Sequence, residues 1–257
     1  MSLPPNDATT RFSSRVDHYV RCRPSYPADV WDVLVKAVGL HAGSVIADIG
    51  SGTGISSRLF LDRGCMVYGI EPNAAMRTAG ERELASLPQF SSRDGTAEAT
   101  GLPAASVDLV IAAQAFHWFD ADAARQEFAR ITRGEGWCAL IWNTRRLDST
   151  PFLRAYESLL HRYGTDYAQV QQRTIAPARL DAFFNAGYET HRLYNEQQFD
   201  LDGLRGRVLS SSYTPGPDHP RHAEMLVALE ELFAKHLQNG VVTFQYDTEV
   251  YVGRLKS

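Results

Sequence analysis

A chain of 257 residues with 44% hydrophobic content has enough apolar material for one large α/β domain or two small ones. A formal net charge of -4 gives no electrostatic reason to expect nucleic acid as the main partner. Cys22, Cys65 and Cys138 are isolated and odd in number, which excludes a disulfide framework and a Cys-x-x-Cys metal site.

The N-terminus is polar and proline-containing with no apolar h-region, and no run approaches the ~18 apolar residues of a membrane span. The expectation is a cytoplasmic protein, monomer or homodimer, with no membrane, nucleic-acid or metal partner.

In chain order, Arg11-Phe12 and then Tyr19-Val20-Arg21-Cys22-Arg23-Pro24-Ser25-Tyr26-Pro27 alternate aromatics with arginines before a proline-stiffened turn. Residues 28–38 carry Val30, Leu34 and Val38 at helical spacing and stop at Gly39. Residues 44–49 read as a buried strand that runs into Gly50-Ser51-Gly52-Thr53-Gly54. A helix follows over 55–64 and a second strand over 65–71. An apolar run closed by a glycine turn and a helix opens a βαβ unit. The free N–H groups at such a helix start suit polar ligand atoms.

Glu71 follows Gly50 by 21 residues, where a βαβ nucleotide site places the carboxylate that accepts the ribose hydroxyls. The glycine register discriminates further. A dinucleotide fingerprint needs Gly-x-Gly-x-x-Gly. Counting from Gly50 or Gly52 puts Ile55 or Ser57 at the last position. The pattern present is Asp48-x-Gly50-x-Gly52-x-Gly54.

Pro72-Asn73 turns into a helix over 76–85, and 89–93 is a weak strand. Residues 107–113 read as a strand that is apolar at every position except Asp108, as a central strand covered on both faces requires. Gln114-Ala115-Phe116-His117-Trp118-Phe119-Asp120 leaves its C-terminal end, which in an open α/β sheet faces the ligand crevice. A helix at 121–132 and a strand at 137–142 lead to Asn143-Thr144-Arg145-Arg146. Thr150-Pro151 caps a helix whose face carries Phe152, Tyr156, Leu159, Leu160 and Tyr163. Then come a helix at 176–186, a strand at 188–199, and an insertion at 200–220 with a short helix at 204–209. A helix at 223–237, with Leu226, Leu229, Phe233 and Leu237 on one face, precedes a last strand at 241–251. The alternation predicts a doubly wound α/β sheet in one domain, 1–257, with 28–199 and 221–257 as its core.

These motifs resemble the class I S-adenosylmethionine-dependent methyltransferases. The likeness is strongest to their type 11 small-molecule family and, within it, the trans-aconitate-methyltransferase-like branch. It runs from about Arg11 to Asn143 and includes the Glu71-Pro72-Asn73-x-x-Met76 run and the aromatic-His117-Trp118 run. It implies a seven-stranded Rossmann-like sheet of order 3-2-1-4-5-7-6 with the last strand antiparallel. It also implies S-adenosylmethionine as cofactor, S-adenosylhomocysteine as product, and a small-molecule acceptor. The implied cofactor site comprises Asp48, Gly50, Ser51, Gly52, Gly54, Glu71, Pro72, Met76, Thr96, Ala97 and Gln114. Met76 is either a packing surface for adenine or core filler. In the family the leader, residues 1–27 here, folds over the cofactor, and Tyr19 and Arg23 match positions that reach its methionine end. A guanidinium suits a carboxylate, and a tyrosine ring can wall a sulfonium. The family usually has Gly-Asp-Ala-Glu where this chain has Gly95-Thr96-Ala97-Glu98. The contact to the adenine amine stays open between the Thr96 hydroxyl, the Ala97 main chain, Asp94 and Glu98.

Methyl transfer from a sulfonium is an in-line displacement with a neutral thioether as leaving group, so the chain must align the reactants and exclude water. His117 is either a general base or an orienting group for Asp120 or a main-chain carbonyl. Trp118 borders the acceptor. The expected acceptor is small, polar or carboxylate-bearing, and methylated on oxygen. It would lie between the Phe116-His117-Trp118 loop and the 200–220 insertion, with Arg145, Arg146, Arg205 and Arg207 as candidate anion contacts. The alternatives are C- or N-methylation of another metabolite and a non-catalytic cofactor-binding protein of the same fold. A nicotinamide oxidoreductase would need the other glycine register and a Tyr-x-x-x-Lys pair, which the chain lacks.

Overall fold

The apolar runs of the first half become parallel strands. The computed structural model describes residues 22–167, 175–184, 186–211 and 213–256. Strands β1 (Val45–Ile49), β2 (Met66–Ile70), β3 (Phe90–Arg93), β4 (Leu109–Ala113) and β5 (Trp137–Arg145) pair in parallel, with β1 between β2 and β4. Strand β7 (Val242–Arg254) is antiparallel to β5, and β6 (Tyr188–Phe199) is antiparallel to β7. The order is β3-β2-β1-β4-β5-β7-β6, as the family likeness implies. The chain reverses direction across the sheet between β1 and β4, where open α/β sheets place their ligand crevice.

Helices α1 (Asp29–Val38), α2 (Ile55–Leu61), α3 (Ala74–Glu83), α4 (Ala121–Ile131), α5 (Pro151–Tyr163), α6 (Pro177–Phe183), α7 (Leu201–Leu209) and α8 (His222–His236) cover both faces. Their ends follow local chemistry. The Asn73 side chain accepts from the N–H groups of Ala75 and Met76, Asp120 accepts from Asp122 and Ala123, and Thr150 accepts from Leu153. None of them is a transmembrane candidate: no helix among the described residues is long and apolar enough to cross a membrane.

Alternation along β5 divides the core. Cys138, Leu140 and Trp142 pack with α4 and α6, while Ala139 and Ile141 pack with α1. A third cluster joins α5, α7 and α8 to Phe199 and to Val242, Phe244 and Tyr246 of β7.

Several boundaries differ from the sequence reading. Strand β5 continues past Trp142 to Arg145 because β7 keeps pairing with it, Arg145 opposite Tyr246. The fourth ladder begins at Leu109, and Val107 makes only a single bridge to Thr132. Helix α2 ends at Leu61, and the chain turns through Gly64 at φ +80°. The buried stripe of α8 is Met225, Leu229 and Leu232, whereas Leu237 is 43% exposed. Leu237 has extended backbone, so it lies outside the helical repeat that would have aligned it.

Candidate functional site

Strand β1 carries Asp48 into the centre of the sheet, where it is fully buried. The Ser56 and Ser57 hydroxyls, in the first turn of α2, donate to its Oδ2 at 2.6 and 2.7 Å. Its Oδ1 has no hydrogen-bond partner among the described residues. Burial pushes this carboxyl up to about 6, against the hydroxyl bonds that pull it down.

The chain then turns through Gly50, Gly52 and Gly54 at φ +70°, +56° and +84°, the region that glycine enters at no steric cost. A Cβ on Gly50 would stand 2.6 Å from the Ala115 Cβ, so the turn lies directly against the loop after β4. A Cβ on Gly52 would stand 3.4 Å from the Met76 Cε. The N–H groups of Gly50 and Ser51 donate to the Ile70 carbonyl, fastening the turn to the end of β2.

Glu71 closes the turn from the other side and is 9% exposed. Its Oε2 accepts from the Gly52 N–H at 2.9 Å and its Oε1 from the Asn73 N–H at 2.8 Å. Burial raises its carboxyl above the usual range, opposed by those two backbone donors. Met76 is buried beside it at the start of α3. The 94–97 segment is held close, since a Cβ on Gly95 would lie 3.0 Å from the Ile70 side chain. Asp94 pairs with Arg77, and Glu98 accepts from the Asp120 N–H. Of the four groups considered for the adenine amine, the Thr96 hydroxyl and the Ala97 main chain remain unengaged among the described residues. Thr96 is exposed and Ala97 is buried.

Gln114 has φ +55°, a backbone region that non-glycine residues rarely occupy. Its side-chain amide bridges the ends of β4 and β5: Oε1 accepts from the Asn143 N–H at 2.9 Å and Nε2 donates to the Asn143 carbonyl at 3.3 Å. A short 3-10 turn, Phe116–Trp118, follows. Phe116 is fully buried with its ring 4.7 Å from that of Phe183. Arg179 of α6 pins this turn. Its Nη2 donates to the carbonyls of Phe116 and Phe119 at 3.1 and 2.8 Å, and its guanidinium lies 4.7 Å from the Phe116 ring centre. His117 is thereby set between two indoles, 4.6 Å from the Trp118 ring and 5.3 Å from that of Trp142. Asp120, a candidate group for His117 to orient, caps α4.

The described end of the leader crosses β5, β7 and β6. The Ser25 carbonyl accepts from Asn143 Nδ2 at 3.2 Å and Asn195 Nδ2 at 2.7 Å, and Gln197 donates to the Arg23 carbonyl. Arg23 Nη2 donates to the Ser210 carbonyl at 3.0 Å, which joins the leader to the 200–220 insertion. Tyr19 lies outside the described residues. Of the four arginines considered for an anion, Arg146 pairs with Asp247, and Arg205 with Asp202 and Glu230. Arg145, with a side chain 10% exposed, pairs with Glu157, and Arg207 is buried.

The structure therefore gathers Asp48, the glycine turn, Glu71 and Met76 at one place, with the 94–97 segment and the loop after β4 against it. Arg179, Asn143 and Asn195 were missed in the sequence. The available signal was Asn143, an amide that interrupts an otherwise apolar strand run.

A sequence profile described as a methyltransferase domain matches residues 47–140. An uncharacterized methyltransferase of Mycobacterium tuberculosis is 39% identical over 145 residues, which is 56% of this chain and 57% of that protein. The match thus spans little more than half the length of the mycobacterial relative. An uncharacterized methyltransferase of Geobacillus thermodenitrificans is 34% identical over 164 residues, 62% of this chain and 75% of that protein. A solved structure of a candidate type II methyltransferase from Anaeromyxobacter dehalogenans has the same fold, with a TM-score of 0.61, 22% identity, and coverage of 91% of this chain and 98% of that one.

Proposed function

The chain belongs to the class I S-adenosylmethionine-dependent methyltransferases, and from that premise we propose that it methylates a small-molecule acceptor, on a carboxylate or comparably acidic oxygen. The observation that carries this reading is the glycine turn itself. It runs between two buried carboxylates, and the Gly52 N–H is clasped by Glu71.

These residues fit the cofactor. Asp48 Oδ1 is a buried acceptor without a donor, the turn is so tight against Ala115 that a side chain at Gly50 would clash, and Gly52 holds a positive φ that strains other residues. Asp48, Gly50, Ser51, Gly52, Gly54 and Glu71 would hold it. Pro72, Met76, Thr96, Ala97 and Gln114 would lie around it, and Tyr19 and Arg23 would come from the leader acting as a lid. When bound, S-adenosylmethionine supplies a methyl group activated by a sulfonium.

The chain supplies alignment and exclusion of water, and alignment alone is worth up to ~7–11 kcal/mol. Arg179 fixes the 3-10 turn, the turn fixes His117 and Trp118, and these border the acceptor together with residues 200–220. An ionised carboxylate acceptor needs no base, which leaves His117 an orienting role. The narrower likeness to the trans-aconitate-methyltransferase-like branch rests on the leader and on the Glu71 to Met76 run.

Calorimetry with S-adenosylmethionine, S-adenosylhomocysteine and NAD tests the first half of the proposal. Both sulfur ligands should bind. Tight NAD binding with no response to either would end it. Mass spectrometry of a metabolite pool incubated with methyl-labelled cofactor tests the second half. A product methylated on carbon or nitrogen would overturn the oxygen assignment. Cofactor binding without any labelled product would favour a non-catalytic role.

A further inference from the structure

Away from the glycine turn, the chain buries two guanidiniums where α5, α7 and β7 meet. Arg145 ends β5 and stands opposite Tyr246 in the ladder. Its guanidinium carbon is 5.0 Å from the ring centre of Tyr156, which is fully buried in α5. Arg207 of α7 is 5% exposed and lies 5.9 Å from the ring centre of Phe244. Both guanidiniums act on the same two phenols. Burial raises the pKa of Tyr156, with Arg207 and Arg145 pulling the other way. Burial also raises that of Tyr213, but Arg207, Arg23 and Arg145 outweigh it and the net direction is down.

Only one of the two cations is matched by a carboxylate among the described residues. Glu157 accepts from Arg145 Nη2 at 2.5 Å and also from the Tyr167 hydroxyl. Arg207 donates through Nη1 to the Ser211 hydroxyl at 3.0 Å and has no carboxylate partner among the described residues. Three buried donors have no acceptor there: Arg145 Nη1, Arg207 Nε and Tyr156 Oη. A buried, uncompensated cation and unmet donors in an apolar cluster oppose folding. Their presence is explained if an anion fills the place.

The cluster also adjoins the proposed site. Asn143, two residues before Arg145 on the same face of β5, is bonded to Gln114 at the end of β4 and to Ser25 of the leader.

We propose that Arg145, Arg207 and Tyr156 form a subsite for a carboxylate of the methyl acceptor, and that this carboxylate is a handle separate from the atom that is methylated. The inference rests on the methyltransferase reading. Guanidinium pairing draws charge from carboxylate oxygens, so a group held this way is a poor nucleophile. The acceptor is then an acid that carries a second nucleophilic oxygen, such as a dicarboxylate or a hydroxy acid.

The test titrates the full chain, loaded with S-adenosylhomocysteine, with glutarate and its monomethyl and dimethyl esters. Glutarate and the monoester should bind, and the diester should not. Arg207→Gln and Tyr156→Phe should each weaken glutarate at least about tenfold while leaving S-adenosylhomocysteine affinity within about twofold. The proposal is overturned if glutarate fails to bind the loaded protein, if the diester binds equally well, or if both variants bind glutarate as the unaltered chain does. Should Arg207→Gln fail to fold by circular dichroism, Tyr156→Phe, which removes only a hydroxyl, decides alone. Failure of the unaltered chain to bind S-adenosylhomocysteine would overturn the methyltransferase reading itself, a result distinct from failure to bind glutarate.

Discussion

Replacing Glu71 with alanine removes two acceptors at once, one for the Gly52 N–H at 2.9 Å and one for the Asn73 N–H at 2.8 Å. Hydrogen bonds to a charged group contribute about 1.5–3 kcal/mol each. Two offsets reduce the sum. Burial already penalises the ionised carboxyl, as its raised pKa shows, and that penalty vanishes with the side chain. Water can also reach part of the vacated space. The expected loss of stability is about 3 kcal/mol, which for a chain of this size lowers Tm by roughly 6–12 °C. A carboxylate at an open strand end would leave stability untouched, but this one is 9% exposed and bonded on both oxygens. Glu71→Gln retains one acceptor oxygen and should lose about half as much. Thermal unfolding by circular dichroism reads the stability, and calorimetry with S-adenosylhomocysteine reads the affinity. Loss of bonds to two ribose hydroxyls should weaken binding by roughly 2–4 kcal/mol, or about 30- to 900-fold. An alanine variant that melts with the unaltered protein would refute the clasp. An unchanged Kd would show that the ribose sits elsewhere.

Other outcomes follow from the same geometry. Burial lifts Asp48 from 3.8 to about 6, so the folded state keeps a proton that the unfolded chain has released; without cofactor, stability should fall as pH rises through that window and level off above it. That slope amounts to about 3 kcal/mol and Asp48→Asn should remove it; urea titrations of the two proteins that stay parallel from pH 4 to 6 would refute the burial argument. Arg179→Ala cuts two bonds to the turn that carries His117, so it should cost about 2 kcal/mol of stability and reduce turnover with little change in S-adenosylhomocysteine affinity; full turnover would deny it a positioning role. Trp118→Ala should reduce turnover more than cofactor affinity. With a carboxylate acceptor, His117→Gln should keep most activity, whereas a loss of order 10²–10⁴ would mark His117 as a general base. Deleting residues 1–26 takes the Ser25 carbonyl from Asn143 and Asn195 and should leave a folded sheet that binds cofactor poorly; full affinity would show that the segment only packs on the outside.

The parts of this protein legible in its sequence are those governed by neighbours in the chain. A glycine at every second position after Asp48 forces a tight turn whatever surrounds it, because only glycine enters those φ values freely. Asn73, Asp120 and Thr150-Pro151 cap the next few N–H groups, so helix starts are readable within a turn. The apolar run before Gln114 reads as a central strand because no polar face is present to be solvated. Other features depend on partners distant in sequence. Strand β5 extends to Arg145 because Tyr246 pairs with it, a relation that no local window contains. Arg179 and Phe116 are 63 residues apart, and Asn195 and Ser25 are 170 apart. Arg205 and Arg207 are separated by one residue of the same short helix. The first reaches Asp202 and Glu230 in solvent, and the second is sealed against Phe244 and Tyr246. Their side chains are the same in sequence. The packing of α5, α8 and β7 around α7 decides which cation keeps its water and which loses it. Local sterics and capping are thus set by the sequence itself, whereas burial of charge is settled only when distant segments close around it.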